Sequence, residues 1–137
     1  MEKGLFGIYK QKIYEVSRIN TKQVRLVSRH KEDLEQGFTE KIYPDNYLNQ
    51  EGLPRLYIKV VERANLDELY EIDYKIKYAA DIFDFISEKH NKKILIGTDD
   101  AKLAKKHNFS RVDKYYYEKE VNKRDIEIIK EKKLLEE

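Results

Sequence analysis

From Leu69 to Tyr78 the chain alternates strictly, with Tyr70, Ile72, Tyr74, Ile76 and Tyr78 separated by Glu71, Asp73, Lys75 and Lys77. A period of two sends every aromatic or branched side chain to one face and every charge to the other, which predicts a half-buried antiparallel strand. Ala79-Ala80-Asp81 reads as a turn into a second strand, Ile82 to Ile86, and Lys89 to Lys93 as a turn into a third, Ile94 to Ile96. Lys10-Gln11-Lys12 and Asn20 to Gln23 punctuate the N-terminal half in the same way. Each third strand then runs into a helix start. Thr98-Asp99-Asp100 offers a cap and two acids suited to the positive end of a helix over Ala101 to His107, with lysines toward its other end and Asn108 as the stop. Ser28 and Gly37 bracket a weaker counterpart, and Phe38 and Phe109 are placed to pin the two helix ends to the sheet. Further strands are expected at Tyr57 to Val61, Tyr117 to Val121 and Ile126 to Lys130, followed by a charged tail, Glu131 to Glu137, expected to fray.

The pattern is written twice. Tyr9 to Val16 aligns with Tyr78 to Phe85, Val24 to Ser28 with Ile94 to Thr98, and Tyr57 to Val61 with Tyr117 to Val121, the last pair followed at equal spacing by Leu66 to Leu69 and Ile126 to Ile129. The expected fold is α+β: a mostly antiparallel sheet of about seven to nine strands with two short helices, internally duplicated, its halves in a pseudo-twofold relation. Residues 1–137 read as a single domain, with repeat unit one at about 7–65 and unit two at about 76–130. One insertion breaks the symmetry. Between Phe38 and Tyr57 lie 18 residues where the second unit has 7 between Phe109 and Tyr117, and the extra chain, a loop at about 40–54, holds both prolines. A long loop in a compact domain is a candidate surface.

Composition narrows the chemistry. With no Cys, disulfide, thiolate-metal and thiol chemistry are excluded. The segment Met1 to Ile8 lacks the apolar run of a signal peptide and no stretch is apolar enough to cross a bilayer, so a cytoplasmic protein without a membrane partner is the expectation. A net charge of +2 is too small for strong sequence-independent attraction to phosphates, and the acidic excess sits in the middle: residues 64–100 carry 5 basic and 9 acidic side chains.

No catalytic set stands out. His30, His90 and His107 lie far apart without a second ligand at metal spacing, and no glycine-rich phosphate loop occurs, so neither metal nor cofactor is expected. Asp99-Asp100 reads as a helix cap. Pro44-Asp45 followed by Asp73-Tyr74-Lys75 resembles, over five residues, the Pro-Asp and Asp-x-Lys pattern of metal-dependent nucleases, which gives a carboxylate-metal enzyme as a third reading. Tyr115 and Tyr116 between Lys114 and Lys119 have the composition of a stacking platform, so a single-stranded nucleic-acid binder is the alternative. The leading reading is recognition of a protein: Tyr buries a large rigid surface and keeps a polar handle, and Tyr43 and Tyr47, with Asp45 between them, sit on the inserted loop. Glu71, Asp73 and Asp84 would extend that site as a charged surround, with Asp81 beside them.

A small Cys-free α+β chain with two related strand-rich units, no catalytic set and a tyrosine-bearing loop resembles the immunity proteins that bacteria keep beside polymorphic toxins. That resemblance implies a non-enzymatic, stoichiometric inhibitor whose partner is a cognate toxin domain.

Overall fold

The computed structural model describes residues 1–44 and 52–135. Among these residues eleven strands are present: β1 (Gly4–Tyr9), β2 (Lys12–Arg18), β3 (Gln23–Ser28), β4 (Thr39–Glu40), β5 (Tyr57–Glu62), β6 (Glu68–Tyr78), β7 (Asp81–Lys89), β8 (Lys93–Thr98), β9 (Ser110–Asp113), β10 (Tyr116–Asn122) and β11 (Ile126–Leu134). The mostly antiparallel sheet and two short helices agree with expectation, whereas the strand count exceeds it. The surplus lies at the edges: β4 has two residues and β9 four, all solvent-exposed, so neither carries the apolar alternation that marks a strand in sequence.

The chain divides into two compact units. The first comprises Gly4–Glu71 with Lys133–Glu137, the second Met1–Lys3 with Ile72–Lys132, and β6 runs through the boundary between them.

In the first unit the strand order is β4-β5-β3-β2-β1. Tyr14, Val16, Val24, Leu26, Tyr57 and Val61 alternate inward and meet Phe38, Leu66 and Leu69, each large side chain contributing roughly 1.5–3 kcal/mol on burial. A 3-10 helix, Lys31–Gln36, closes one end, and Gly37 ends it at φ 88°, a left-handed conformation natural to glycine. The chain then delivers the Phe38 ring to within 5.1 Å of Tyr14. Asp33 is only 2% exposed and accepts hydrogen bonds from Ser28 Oγ at 2.5 Å and Tyr14 Oη at 3.3 Å, with Lys12 Nζ at 3.5 Å. Burial pushes its carboxyl upward, but the Ser28 bond and the Lys12 charge outweigh this and hold it below the usual range.

The described part of the charged tail, as far as Leu135, is held rather than frayed: β11 continues to Leu134, and Leu135 N donates to Leu69 O at 2.9 Å while Leu135 O accepts from Arg63 Nη2 at 2.7 Å. The apolar Leu135, packed against the core, secures an end that its charged neighbours disguise.

In the second unit the order is β6-β7-β8-β10-β9. Ile76, Phe83, Phe85, Ile94, Ile96 and Val121 form its core, with Tyr74, Tyr78, Leu103 and Phe109 packed around it. Helix α1 (Ala101–Lys106) starts as the sequence demands, Asp100 Oδ1 accepting from Lys102 N at 2.9 Å and Leu103 N at 3.2 Å. Asn108 leaves it at φ 60°, and Phe109 then stacks on Phe83 with ring centroids 4.8 Å apart.

Two hairpins turn on two residues each, Lys10-Gln11 between β1 and β2 and Ala79-Ala80 between β6 and β7. All four residues are left-handed, at φ 49°, 68°, 49° and 71°. This backbone suits the strand twist but favours Asn-Gly, because a Cβ in the left-handed region costs about 1–2 kcal/mol. Replacing Ala79-Ala80 by Asn-Gly is therefore expected to stabilise the protein by about 1 kcal/mol and raise Tm by roughly 4 °C in thermal denaturation. An unchanged or lower Tm contradicts the turn assignment.

Candidate functional site

The clearest convergence of charged groups lies in the second unit, where register places Lys75 opposite Asp84 and Asp84 opposite Gly97 across β6, β7 and β8. Two irregularities flank this row. The pairing of β7 with β8 shifts between Phe85 and Ser87, and that of β10 with β9 between Tyr116 and Tyr117. Such bulges re-aim side chains. Here the Tyr116 ring lies across Gly97, where any Cβ would collide with that ring and with Ile86 Cδ1. Tyr116 Oη thereby reaches Asp84 Oδ2 at 2.9 Å, while Lys75 Nζ takes Asp84 Oδ1 at 2.9 Å. The group borders a cavity of about 300 Å³, to which Lys3 and Asp73 also contribute. Lys3 Nζ stands 5.5 Å above the Phe85 ring and donates to Phe85 O.

The electrostatics follow from this geometry. Partial burial raises the Asp84 carboxyl, but the hydrogen bonds from Lys75 and Tyr116 prevail and hold it below the ordinary carboxylate range. The bond to Asp84 raises Lys75 against the opposing effect of burial, aided by the charges of Asp84, Asp73 and Glu131. Burial first, then the bond to Asp84, drives the Tyr116 phenol well above its usual value. Both Asp84 oxygens are engaged and Tyr116 keeps its proton, so this is a self-neutralising clamp, with Asp73 and Lys3 as the further charges at its mouth.

Of the residues singled out in the sequence, Asp73 and Asp84 share this cavity. Glu71 is exposed on β6 and lies in the first unit. Tyr43 is half-buried in the first unit, its hydroxyl donating to Pro54 O at 2.7 Å and so closing the base of its own loop. Asp45 and Tyr47 lie outside the described residues. Asp81, offered as part of a charged surround, is instead held by His107 Nε2 at 2.7 Å and Lys106 Nζ at 3.0 Å. Of the four stacking-platform residues, Tyr115 is 72% exposed with Lys114 Nζ above its ring, Tyr116 bonds to Asp84, and Lys119 Nζ donates to His107 O.

A family model matches residues 1–137 from end to end. The chain belongs to the family described as uncharacterised conserved protein UCP033725. No curated protein and no solved structure matches it. Among the described residues no helix is long and apolar enough to cross a membrane, and no cluster of three or more His, Cys, Asp or Glu is arranged to hold a metal.

One surface went unremarked in the sequence. In the first unit the face turned away from the core carries Ile8 opposite Ile13, then Phe6, Glu15, Val27 and Ile58 in a row across β1, β2, β3 and β5, then Ser17, Arg25 and Val60. Ile13 is 64% and Val60 48% exposed, and Phe6, Ile8, Val27 and Ile58 are half-buried. Arg25 lies among them, its Nη1 3.5 Å from Ser17 Oγ and its Nε without an acceptor. The signal was legible: Leu5-Phe6-Gly7-Ile8-Tyr9 and Tyr57-Ile58-Lys59-Val60-Val61 place apolar residues at both parities.

Removing the Tyr116 hydroxyl (Tyr116→Phe) is expected to cost about 0.5–1.5 kcal/mol in denaturant unfolding. Because Asp84 is depressed in the folded state, its contribution to stability is complete above the unfolded carboxylate value, about 4, and is lost as pH falls through the folded value. Asp84→Asn is expected to flatten the acid limb of the stability profile and to lower the alkaline transition of Tyr116 in ultraviolet titration. A tyrosine titration identical to the parent protein contradicts the clamp.

Proposed function

We propose that this is a non-enzymatic binding protein whose partner is another protein, and that it acts as an immunity protein, neutralising a cognate toxin domain by stoichiometric binding in the cytoplasm. The observation carrying this reading is the outward face of the first unit. A solvated antiparallel sheet alternates apolar in and polar out, yet Phe6, Ile8, Ile13, Val27, Ile58 and Val60 make the outward side apolar as well. Contiguous apolar surface of this kind marks interaction sites. Glu15, with Arg29 at 3.9 Å, and Arg25, whose Nε can satisfy an acceptor once the guanidinium turns, supply polar complements. Asp84 is neutralised in place by Lys75.

The internal duplication belongs to the same proposal. Supporting it, each unit runs through the same order of strands, helix and 3-10 turn, and the same bonds recur: Phe38 N to Asp33 O and Phe109 N to Ala104 O; Arg63 N to Lys22 O and Lys123 N to Lys92 O. One copy has an apolar outward row and the other the charged clamp, a divergence that packing alone does not require.

Co-expression with a cognate toxin domain is expected to give a 1:1 complex by light scattering and to restore growth. Ile13→Asp combined with Val60→Asp should leave the circular dichroism spectrum intact and weaken the complex at least a hundredfold. Undiminished affinity in that variant, or no complex at all, refutes the reading.

A further inference from the structure

A second cavity, of about 490 Å³, opens within the first unit, at the end where β2 turns into β3 and β5 leaves the sheet. Its floor is apolar, with Val24, Leu69 and Leu135, and its rim is cationic, with Arg18, Lys22 and Arg63; Glu62 is the acid among its lining residues. Among the described residues no carboxylate pairs with any of the three cations. The rim is braced rather than loose. Asn20 Oδ1 accepts from Lys22 N at 2.9 Å and Gln23 N at 2.8 Å, fixing the turn, and Lys22 O accepts from Arg63 N at 2.7 Å. Arg63 Nη2 is anchored on Leu135 O at 2.7 Å, which holds the guanidinium at the mouth while leaving its other donors available.

Like charges gathered on a braced rim repel one another, and folding alone gives no return for placing three of them around an apolar floor. A volume in the range of small-molecule sites, an apolar base and a few convergent polar groups are the properties of a ligand pocket. We propose that this cavity binds a small amphipathic carboxylate, its hydrocarbon body on Val24, Leu69 and Leu135 and its anionic head between Arg18, Lys22 and Arg63. The guanidinium forks of Arg18 and Arg63 match a carboxylate in two-point geometry, with Lys22 adding a point charge. The site is independent of the outward sheet face, so either assignment can fail without the other.

The test uses the full chain, isotopically labelled, with methyl resonances of Val24, Leu69 and Leu135 followed during titration with octanoate, octanol or sulfate. Octanoate is expected to saturate with at least tenfold higher affinity than octanol, which has the same body without the charge, and than sulfate, which has charge without the body. Arg18→Gln with Lys22→Gln, both exposed positions that leave the core untouched, should remove that preference. Equal affinity for octanoate and octanol, sulfate binding as tightly as octanoate, an unchanged preference in the double variant, or no saturable shift with any probe overturns the proposal.

Discussion

A strand sends successive side chains to opposite faces, so burying Tyr14, Val16, Val24 and Leu26 obliges Ile13, Glu15, Arg25 and Val27 to face the other way. That constraint organises the first unit. Once the inward set is fixed by the core, the outward set can change at little cost to folding, and its composition reports on what the surface meets. Here it is Phe, Ile and Val at six positions, of which Ile13 and Val60 stay 64% and 48% exposed while Phe6 stacks on the buried Tyr70 ring. Surface of this kind is costly in water and returns its free energy only when covered. In the second unit the same alternation leaves Lys75, Asp84 and Glu118 outward, and Lys75 and Asp84 neutralise one another there.

That clamp illustrates how a sheet satisfies partly buried charge. Asp84 gains nothing from desolvation by itself; Lys75 across one strand pair and Tyr116 across the absent side chain of Gly97 make its ionised form the stable one. Each member loses its rationale without the others. Gly97 is needed for contact geometry rather than for backbone freedom, and the bulges at Phe85–Ser87 and Tyr116–Tyr117 aim the side chains that fill the space it leaves.

Much of the fold was legible in the sequence because it is encoded locally. The alternation of β6, the Asp100 cap, and the Phe38 and Phe109 pins are short-range signals, and each is found where the pattern puts it. The edge strands β4 and β9 were not legible, since an exposed strand is defined by its backbone bonds to a neighbour distant in sequence. The hold on Leu135 was missed for the same reason: its partners, Leu69 and Arg63, lie about seventy residues earlier. In the candidate sites, Asp73 and Asp84 are legible as acids of a charged face, whereas the bond of Tyr116 to Asp84 is not, because the space over Gly97 that admits its ring has no sequence signature of its own. The outward apolar row is legible as apolar residues at both parities in Leu5 to Tyr9 and Tyr57 to Val61.

The central claim is that the outward face of the first unit is open in the free protein and covered by a partner. Solvent paramagnetic relaxation of methyl groups, measured on the isolated chain and again with the proposed protein partner bound, tests it directly. The account predicts strong relaxation at Ile13, Val27, Ile58 and Val60 in the free state and its loss in the complex, with Leu26 and Ile96 silent in both. Methyls of that face protected in the free protein, or equally relaxed before and after binding, would contradict it.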